Sequence, residues 1–223
     1  MVLLLIAIFL PLVAGVLLPL LHLPRKAKLA FVSLVLAVEA ALTVALACMD
    51  EVSVTLLSIT PELVLAFRTD GISRVFSLVA SLLFLPVGIY SFKYLTHEEA
   101  EDRFLASFLL VLGALVGMDY ASNLVSMYVF YELVTLTALP LVLHSRSKES
   151  IRAALKYLFY SVAGAFMALL GILCVSRFTT LDFVAGGTLS GVDLGAHSGL
   201  VMALVFCTVL GFGAKAGLYP LHG

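Results

Sequence analysis

The sequence predicts an all-α polytopic membrane protein with about seven transmembrane helices, and three observations carry that prediction. Of its 223 residues, 62% are hydrophobic and only 12% are charged, and the mean hydropathy is +1.16. Soluble domains carry roughly 25% charged residues. The apolar residues also fall into runs of about 20, the length that an α-helix needs to cross a bilayer. We therefore expect a single transmembrane domain over residues 1–223.

Seven apolar runs are long enough, or nearly so, to be spans. They cover approximately residues 1–21, 29–49, 72–92, 104–118, 123–143, 155–175 and 200–221. The fourth is short for a crossing, so we expect its ends to lie a few residues further out. The first has no Lys or Arg before it and so lacks the basic region of a cleavable signal peptide. It is predicted to be a permanent span.

The connection between the second and third spans has a pattern of its own. Residues 52–59 (VSVTLLSI) begin with apolar and polar residues in alternation, Pro61 interrupts the pattern, and an apolar run resumes at 63–67. Sixteen residues with a central proline are too few for a span, and this arrangement is typical of a β-hairpin. We expect a small hairpin on the extracytoplasmic face, with a tilted interfacial segment as the alternative.

Lys and Arg residues are distributed unevenly between the two sides of the predicted bundle. Nine lie in or beside the odd-numbered connections, namely Arg25, Lys26, Lys28, Lys93, Arg103, Arg146, Lys148, Arg152 and Lys156. The even-numbered connections hold three, Arg68, Arg74 and Arg177. Basic residues favour the cytoplasmic side of a membrane. The distribution predicts cytoplasmic odd-numbered connections and an N-terminus outside the cytoplasm.

Composition and motifs give no sign of nucleic-acid binding, of a metal site or of a bound cofactor. The net charge is −1 and no basic stripe is present, so no polyanionic partner is expected. Cys48, Cys174 and Cys207 lie in or beside apolar runs without a CxxC motif, where cysteine behaves as a small hydrophobic residue. No pattern for a nucleotide, flavin, quinone or iron–sulfur cluster is found. We expect no cofactor, no metal and no catalytic residue.

Two opposite charges inside apolar runs are the first candidates for function. Glu132 lies about ten residues from either end of the fifth span, and Lys215 lies within the seventh. A charge at bilayer depth is energetically costly and is a functional candidate by default. An acid and an amine on different helices indicate a path for protons or ions. A structural ion pair, or a lysine that reaches the headgroups, is the alternative.

The sequence around Lys215 predicts a helix that is broken in the membrane. Gly211, Gly213 and Gly217 lie within seven residues, and Pro220 follows them. Glycine and proline both disfavour a continuous α-helix. Discontinuous helices in membranes commonly line cavities where ions bind.

Three further ionisable residues lie in or beside the predicted spans. Lys156 lies four residues after Arg152 on the same helix face, and is either an interfacial lysine or a relay to the cytoplasm. His222 follows the proline of the broken helix, and its titration range suits a proton relay. Glu39 lies midway along the second span, where structural pairing or a lipid-edge position is favoured.

Two stretches of sequence resemble a known family. FYELVTLTALPL at 130–141 and GFGAKAGLYPLH at 211–222 resemble the large antiporter-like membrane subunits of respiratory complex I. The same family supplies subunits of multisubunit Na⁺/H⁺ antiporters and membrane-bound hydrogenases. The resemblance implies that Glu132 and Lys215 form the first half of a proton channel, with Lys156 and His222 as secondary relays. It also implies an integral protein of a prokaryotic cell membrane.

The family fold has about fourteen helices in two inverted five-helix repeats, whereas this sequence stops at Gly223. We therefore expect an N-terminal fragment of a longer subunit, without the eighth span and the second repeat.

The resemblance implies a proton-translocating membrane subunit of a redox-driven complex, with no redox centre of its own. Its expected partners are other membrane subunits, the bilayer, and H⁺ or Na⁺. A subunit of a multisubunit Na⁺/H⁺ antiporter is the first alternative. A non-conducting scaffold subunit and a stand-alone transporter of a small anion are the others.

Overall fold

A computed structural model describes residues 1–60, 63–97 and 100–218. Within them the chain forms seven α-helices, two β-strands and two short 3₁₀ turns. The helices are α1 (Val2–Leu20), α2 (Arg25–Ala47), α3 (Gly71–Tyr94), α4 (Glu101–Asp119), α5 (Leu124–Val142), α6 (Lys148–Val175) and α7 (Ser198–Lys215). The strands are β1 (Ser53–Ser58) and β2 (Val64–Arg68), and the 3₁₀ turns are Leu95–His97 and Gly195–His197.

The predicted fold class is confirmed: the chain is an all-α membrane protein with a small two-stranded sheet. In the described residues, six helices are long and apolar enough to cross a membrane, and α4 is the exception because it carries charges at both ends. α4 is nevertheless the most buried helix, and it packs against α1, α3 and α5. α6 and α7 pack against each other beside α5.

The β-hairpin lies at one end of the bundle, which we call the hairpin face. β1 and β2 pair antiparallel, as the alternation predicted, although Pro61 lies outside the described residues. A hydrogen bond joins β2 to the start of α5, since Ala66 N–H donates to Ser126 Oγ at 2.8 Å. Phe67 is fully buried and meets the Phe130 ring edge-to-face, with the ring centroids 5.5 Å apart. These contacts fix the position of α5 relative to the β-hairpin.

The opposite face of the bundle is held by ion pairs between α2 and α4. Arg25 lies 3.0 Å from Glu101. Lys28 pairs with Asp102 and also lies 3.5 Å from Glu101. Because Lys28 and Glu101 are largely shielded from solvent, these pairs fix the relative height of the two helices.

The helix ends differ most from the predicted spans at the start of α6 and at the end of α7. α6 begins at Lys148 rather than at 155, because Ser147 Oγ accepts a hydrogen bond from Ser150 N–H and caps a polar first turn. α7 ends at Lys215, inside the predicted span of 200–221. α4 covers Glu101–Asp119, so it begins three residues before the predicted span of 104–118 and ends one residue after it.

Candidate functional site

The two predicted charges lie at the junction of α5 with the α6–α7 pair. α5 begins at Asn123, whose side chain accepts a hydrogen bond from Ser126 N–H at 2.8 Å. Glu132 follows eight residues after Leu124, which places it about 12 Å along the helix from the hairpin face. Lys215 is in the last turn of α7, and its long side chain reaches back to α5.

Lys215 is held by α5 through the residues on either side of Glu132. Its Nζ donates to the backbone carbonyl of Tyr131 at 2.5 Å and also to the hydroxyl of Thr135. The same Nζ lies 3.4 Å from the centroid of the Tyr131 ring, a cation–π arrangement. Tyr131 is 5% exposed and Thr135 1% exposed, so the ammonium rests on acceptors shielded from water.

Glu132 and Lys215 interact electrostatically but are not a direct ion pair. Among the described residues, the nitrogen–oxygen pairs within 4.0 Å are those of the opposite face and Arg68–Asp70. The Oε1 atom of Glu132 is buried, and no described residue donates a hydrogen bond to it. The carboxylate therefore acts on the amine through space and keeps an oxygen free to take a proton.

Three tyrosines interact electrostatically with the carboxyl group of Glu132. Tyr128, Tyr131 and Tyr157 each lie within electrostatic range of it. Tyr157, on α6, also interacts with the side chains of Thr135 and Ser161. α6 thus contributes the phenol of Tyr157 to the site. Tyr157 directly follows Lys156, the lysine that the sequence pattern had selected. Sequence reasoning missed Tyr157, because one tyrosine among several on an apolar helix carries no distinguishing pattern.

Of the other two predicted relays, one lies away from this site and the other is not among the described residues. Lys156 lies on the exposed side of α6, with no hydrogen bond or ion pair to a described residue. His222 and Pro220 lie outside the described residues.

Of the residues predicted to break the seventh span, Gly211 and Gly213 lie inside α7, and Gly217 lies just beyond its end. α7 is continuous through Gly211 and Gly213, so neither residue interrupts it. Gly217 has a φ of +73°, and Leu218 N–H donates to the carbonyl of Gly213 at 2.9 Å. This is a Schellman arrangement, in which glycine adopts the left-handed conformation that ends a helix. Lys215 therefore lies at a helix C-terminus, where the helix dipole favours a cation.

Gly211 instead allows α6 and α7 to approach each other closely. A Cβ atom at Gly164 of α6 would lie 2.6 Å from the carbonyl oxygen of Gly211. The same carbonyl accepts a hydrogen bond from the Tyr131 hydroxyl at 3.1 Å. Small residues at such crossings are typical of helix pairs in membranes. The glycine thus sets the position of α7 against both α6 and α5.

An open cavity leads from the hairpin face toward this site. It has a volume of ≈ 580 Å³ and is lined by residues of α5, α6, α7 and the loop before α7, among them Met127, Thr208 and Phe212. Phe212 meets the Tyr131 ring edge-to-face, with the centroids 5.1 Å apart. One aromatic contact therefore separates the cavity from the residue that holds Lys215.

Comparison with known proteins agrees with this geometry. A family of membrane domains described as NADH:quinone oxidoreductase/Mrp antiporter, TM, matches residues 121–223, the part of the chain that holds Glu132 and Lys215. Hydrogenase-4 component B of Escherichia coli is 33% identical over 164 residues, which are 71% of this chain and 23% of that protein. The chain belongs to the family of antiporter-like membrane subunits. A Na⁺/H⁺ antiporter subunit from Alkalihalophilus pseudofirmus is 31% identical over 155 residues, which are 69% of this antiporter-like chain and 19% of that protein.

Solved structures share the fold of the antiporter-like chain along nearly its whole length. A chain of the Mrp complex from Dietzia superposes with a TM-score of 0.77 at 22% identity, covering 99% of this chain and 42% of its own length. A chain of respiratory complex I from Thermus thermophilus gives 0.72 at 25% identity, covering 98% and 45%. The antiporter-like chain thus spans less than half of these solved chains and about a fifth of the curated relatives.

Proposed function

We propose that this antiporter-like subunit moves protons through the membrane as part of a redox-driven complex, with Lys215 and Glu132 as exchanging groups. The observation that carries the proposal is the position of Lys215. Its ammonium rests on the Tyr131 carbonyl and the Thr135 hydroxyl, and Glu132 lies within electrostatic range. A charged Glu132 favours the ammonium form, and a neutral Glu132 favours release of the proton.

The transfer needs no chemistry beyond the movement of a proton. An N–H bond of Lys215 breaks, an acceptor on the path takes the proton, and the neutral amine later receives another. Thr135 can accept and donate through its hydroxyl, and Tyr157 extends this contact to α6. The cavity toward Phe212 offers water a route to the hairpin side of the site.

The experiment is proton transport by the complete subunit, with its partner subunits, in membrane vesicles. Glu132→Gln and Lys215→Met each remove one charge while keeping the side-chain length, and each is expected to lower transport by roughly tenfold or more. Glu149→Gln and Lys148→Met are matched controls, since both lie exposed at the start of α6, and they are expected to transport normally. Normal transport by both site variants would refute the proposal.

Membership of a multisubunit Na⁺/H⁺ antiporter is the second candidate function, because one relative is named as part of a Na⁺/H⁺ antiporter. The same vesicles separate the two candidates. Proton movement that starts only when Na⁺ is added, without an electron donor, supports the antiporter. Movement that requires electron transfer and is indifferent to Na⁺ supports the redox-driven complex.

We also propose that the N-terminus and the hairpin face lie outside the cytoplasm. Support comes from the basic residues, since Arg25, Lys28 and Arg103 lie at the opposite face together with Arg146 and Lys148. Basic residues on short connections favour the cytoplasmic side.

A further inference from the structure

A second buried carboxyl group lies outside the site described above. Glu39 of α2 is 0% exposed, and neither of its carboxylate oxygens has a hydrogen-bond partner among the described residues. Of the helices that pack against α2, α1 has no ionisable side chain, and α3 has Arg74 near the hairpin face and Tyr90, Lys93 and Tyr94 near the opposite face. The ion-paired residues of α4 are also at the opposite face. A buried carboxylate without a partner is costly, so this group is expected to hold a proton.

The buried side of α3 is polar in the half of the helix that is nearer to the hairpin face. Every buried residue of α3 is a serine or a glycine, namely Ser73, Ser77, Ser81, Gly88 and Ser91. The first three follow one another at four-residue spacing, so they form one line along the helix. That line begins at the hairpin face and runs toward the level of Glu39.

Two hydrogen bonds connect this serine line to the neighbouring helices. Ser77 Oγ donates to the Tyr120 hydroxyl at 2.9 Å, and Ser81 Oγ lies 2.6 Å from Thr43 Oγ1. Thr43 is one turn from Glu39 on the same face of α2, and its hydroxyl contacts the Glu39 backbone carbonyl at 3.2 Å. Hydroxyl groups therefore extend from the end of α4 to the turn next to Glu39.

The hairpin end of this line is in contact with charged, partly exposed groups. Tyr120 interacts electrostatically with Asp119 and Arg74, and also with Glu39. Asp119 and Arg74 are neither fully buried nor fully exposed. Water at the hairpin face can therefore reach the outer end of the hydroxyl line.

We propose that Glu39 is a second protonation site and that Tyr120, Ser77, Ser81 and Thr43 are the route by which protons reach it from the hairpin face. Each hydroxyl accepts a proton on one side and donates its own on the other, so one proton moves and no electrons are transferred. Neighbouring turns are about 5–6 Å apart, a gap that one bridging water spans.

The geometry favours a proton over a metal cation as the ligand. The oxygens of Ser81 and Thr43 are 2.6 Å apart and bonded to each other, which leaves no space for an ion between them. A metal site would also need several ligands, and the described residues contain no group of three or more His, Cys, Asp or Glu side chains that could hold a metal ion.

This second site is as far from the hairpin end of its helix as Glu132 is from the hairpin end of α5. Glu39 is eight residues before Ala47, and Glu132 is eight residues after Leu124, so each is about 12 Å from the hairpin end of its helix. The two carboxyl groups lie on different helices, with α4 packed between α3 and α5. Protons can thus enter the two positions independently.

Infrared spectroscopy of the complete protein, with its partner subunits, tests the site. The carbonyl band of a protonated carboxyl group that disappears in Glu39→Gln belongs to Glu39. In the parent protein we expect this band at neutral pH, and we expect it to shift soon after transfer to D₂O. Absence of the band, or a band that stays unshifted in D₂O for hours, would overturn the proposal.

Variants of the serine line test the route. Ser77→Ala combined with Ser81→Ala is expected to slow the D₂O shift by roughly tenfold or more. Ser91→Ala is the matched control, because Ser91 lies on the same face of α3 beyond Glu39 and its hydroxyl donates to Gly88 O at 2.7 Å. Equal exchange rates in all three proteins would overturn the route. The measurement does not depend on transport, so it stands whether or not Glu132 and Lys215 prove to exchange protons.

Discussion

The ammonium group of Lys215 lies 2.5 Å from the backbone carbonyl oxygen of Tyr131, the residue immediately before Glu132. The amine is therefore bound by neutral acceptors of α5, and the carboxylate influences it from the next position. This separation allows the charge of Glu132 to change without breaking the contacts that position Lys215.

The Thr135 hydroxyl is expected to be necessary for proton exchange at Lys215. Thr135→Val keeps the shape of the side chain but removes the acceptor, and we expect transport to fall by roughly tenfold. Thr135→Ser restores the hydroxyl and should recover most of the rate. Vesicle transport assays compare the three proteins, and full activity of the valine variant would show that the contact is dispensable.

The contact between Gly164 and Gly211 is expected to limit the stability of the α6–α7 pair. A Cβ atom at Gly211 would lie 2.7 Å from the backbone nitrogen of Ala168, so Gly211→Ala should cost about 1–3 kcal/mol of unfolding free energy. Thermal unfolding in detergent measures the loss. Gly199→Ala is the control, because a Cβ there meets nothing within 4 Å. An unfolding midpoint of Gly211→Ala equal to that of the control would contradict the prediction.

The start of α3 is expected to become less stable in acid. Asp70 Oδ1 accepts from Ser73 N–H at 2.8 Å, and Ser73 Oγ accepts from Asp70 N–H at 2.7 Å. Burial raises the pKa of Asp70, but the hydrogen bonds from Ser73 and the Arg68 guanidinium outweigh it, so the pKa lies below its ordinary value.

A lowered pKa means that the charged form of Asp70 stabilises the fold above the unfolded-state pKa of about 3.9. This contribution is lost as the pH falls through the lower pKa of the folded state. Asp70→Ala should cost about 1 kcal/mol at pH 7, and the difference from the parent should narrow in strong acid. Thermal midpoints at several pH values measure it, with the exposed Asp50→Ala as the control. A difference that is constant with pH would contradict this.

We expect that chemical labelling of a native cysteine will show which side of the membrane the hairpin face is on. Cys48 is exposed and caps the hairpin end of α2. A membrane-impermeant maleimide should label it in intact cells, and Cys48→Ser should abolish that labelling. Ser145→Cys, in the Cys48→Ser background, places a thiol at the opposite face and should react only after the cells are opened. The reverse pattern would place the N-terminus in the cytoplasm.

Sequence patterns predicted the seven helices and their order, because bilayer thickness fixes the length of an apolar helix. They also selected Glu132 and Lys215 as candidates, since charges are rare inside apolar helices. They placed the start of α6 seven residues late, because a polar helical turn outside the membrane has no hydropathy signal. They interpreted the glycines before Lys215 as a break, although Gly211 serves the contact between two helices.

The hydrogen-bond acceptors of Lys215 could not be predicted from the sequence, for a different reason. A backbone carbonyl such as that of Tyr131 has no sequence signature, and Thr135 is one of several polar residues on α5. Which of them faces α7 depends on how the helices pack. Glu39 was expected to have a structural partner or to lie at the lipid edge, whereas it is fully buried and both of its oxygens lack a hydrogen-bond partner among the described residues.

The glycine crossing between α6 and α7 has a mechanical consequence. Backbone contact at Gly164 and Gly211 makes the two helices move as one body, while the acceptors of Lys215 belong to α5. The outer side of α6 is apolar and exposed, with Phe159 at 71% and Phe166 at 67%. We expect a neighbouring subunit that displaces α6 to displace α7 with it, and so to move the Lys215 ammonium relative to its acceptors on α5. Such a movement at the edge of the bundle is expected to change the proton affinity of Lys215.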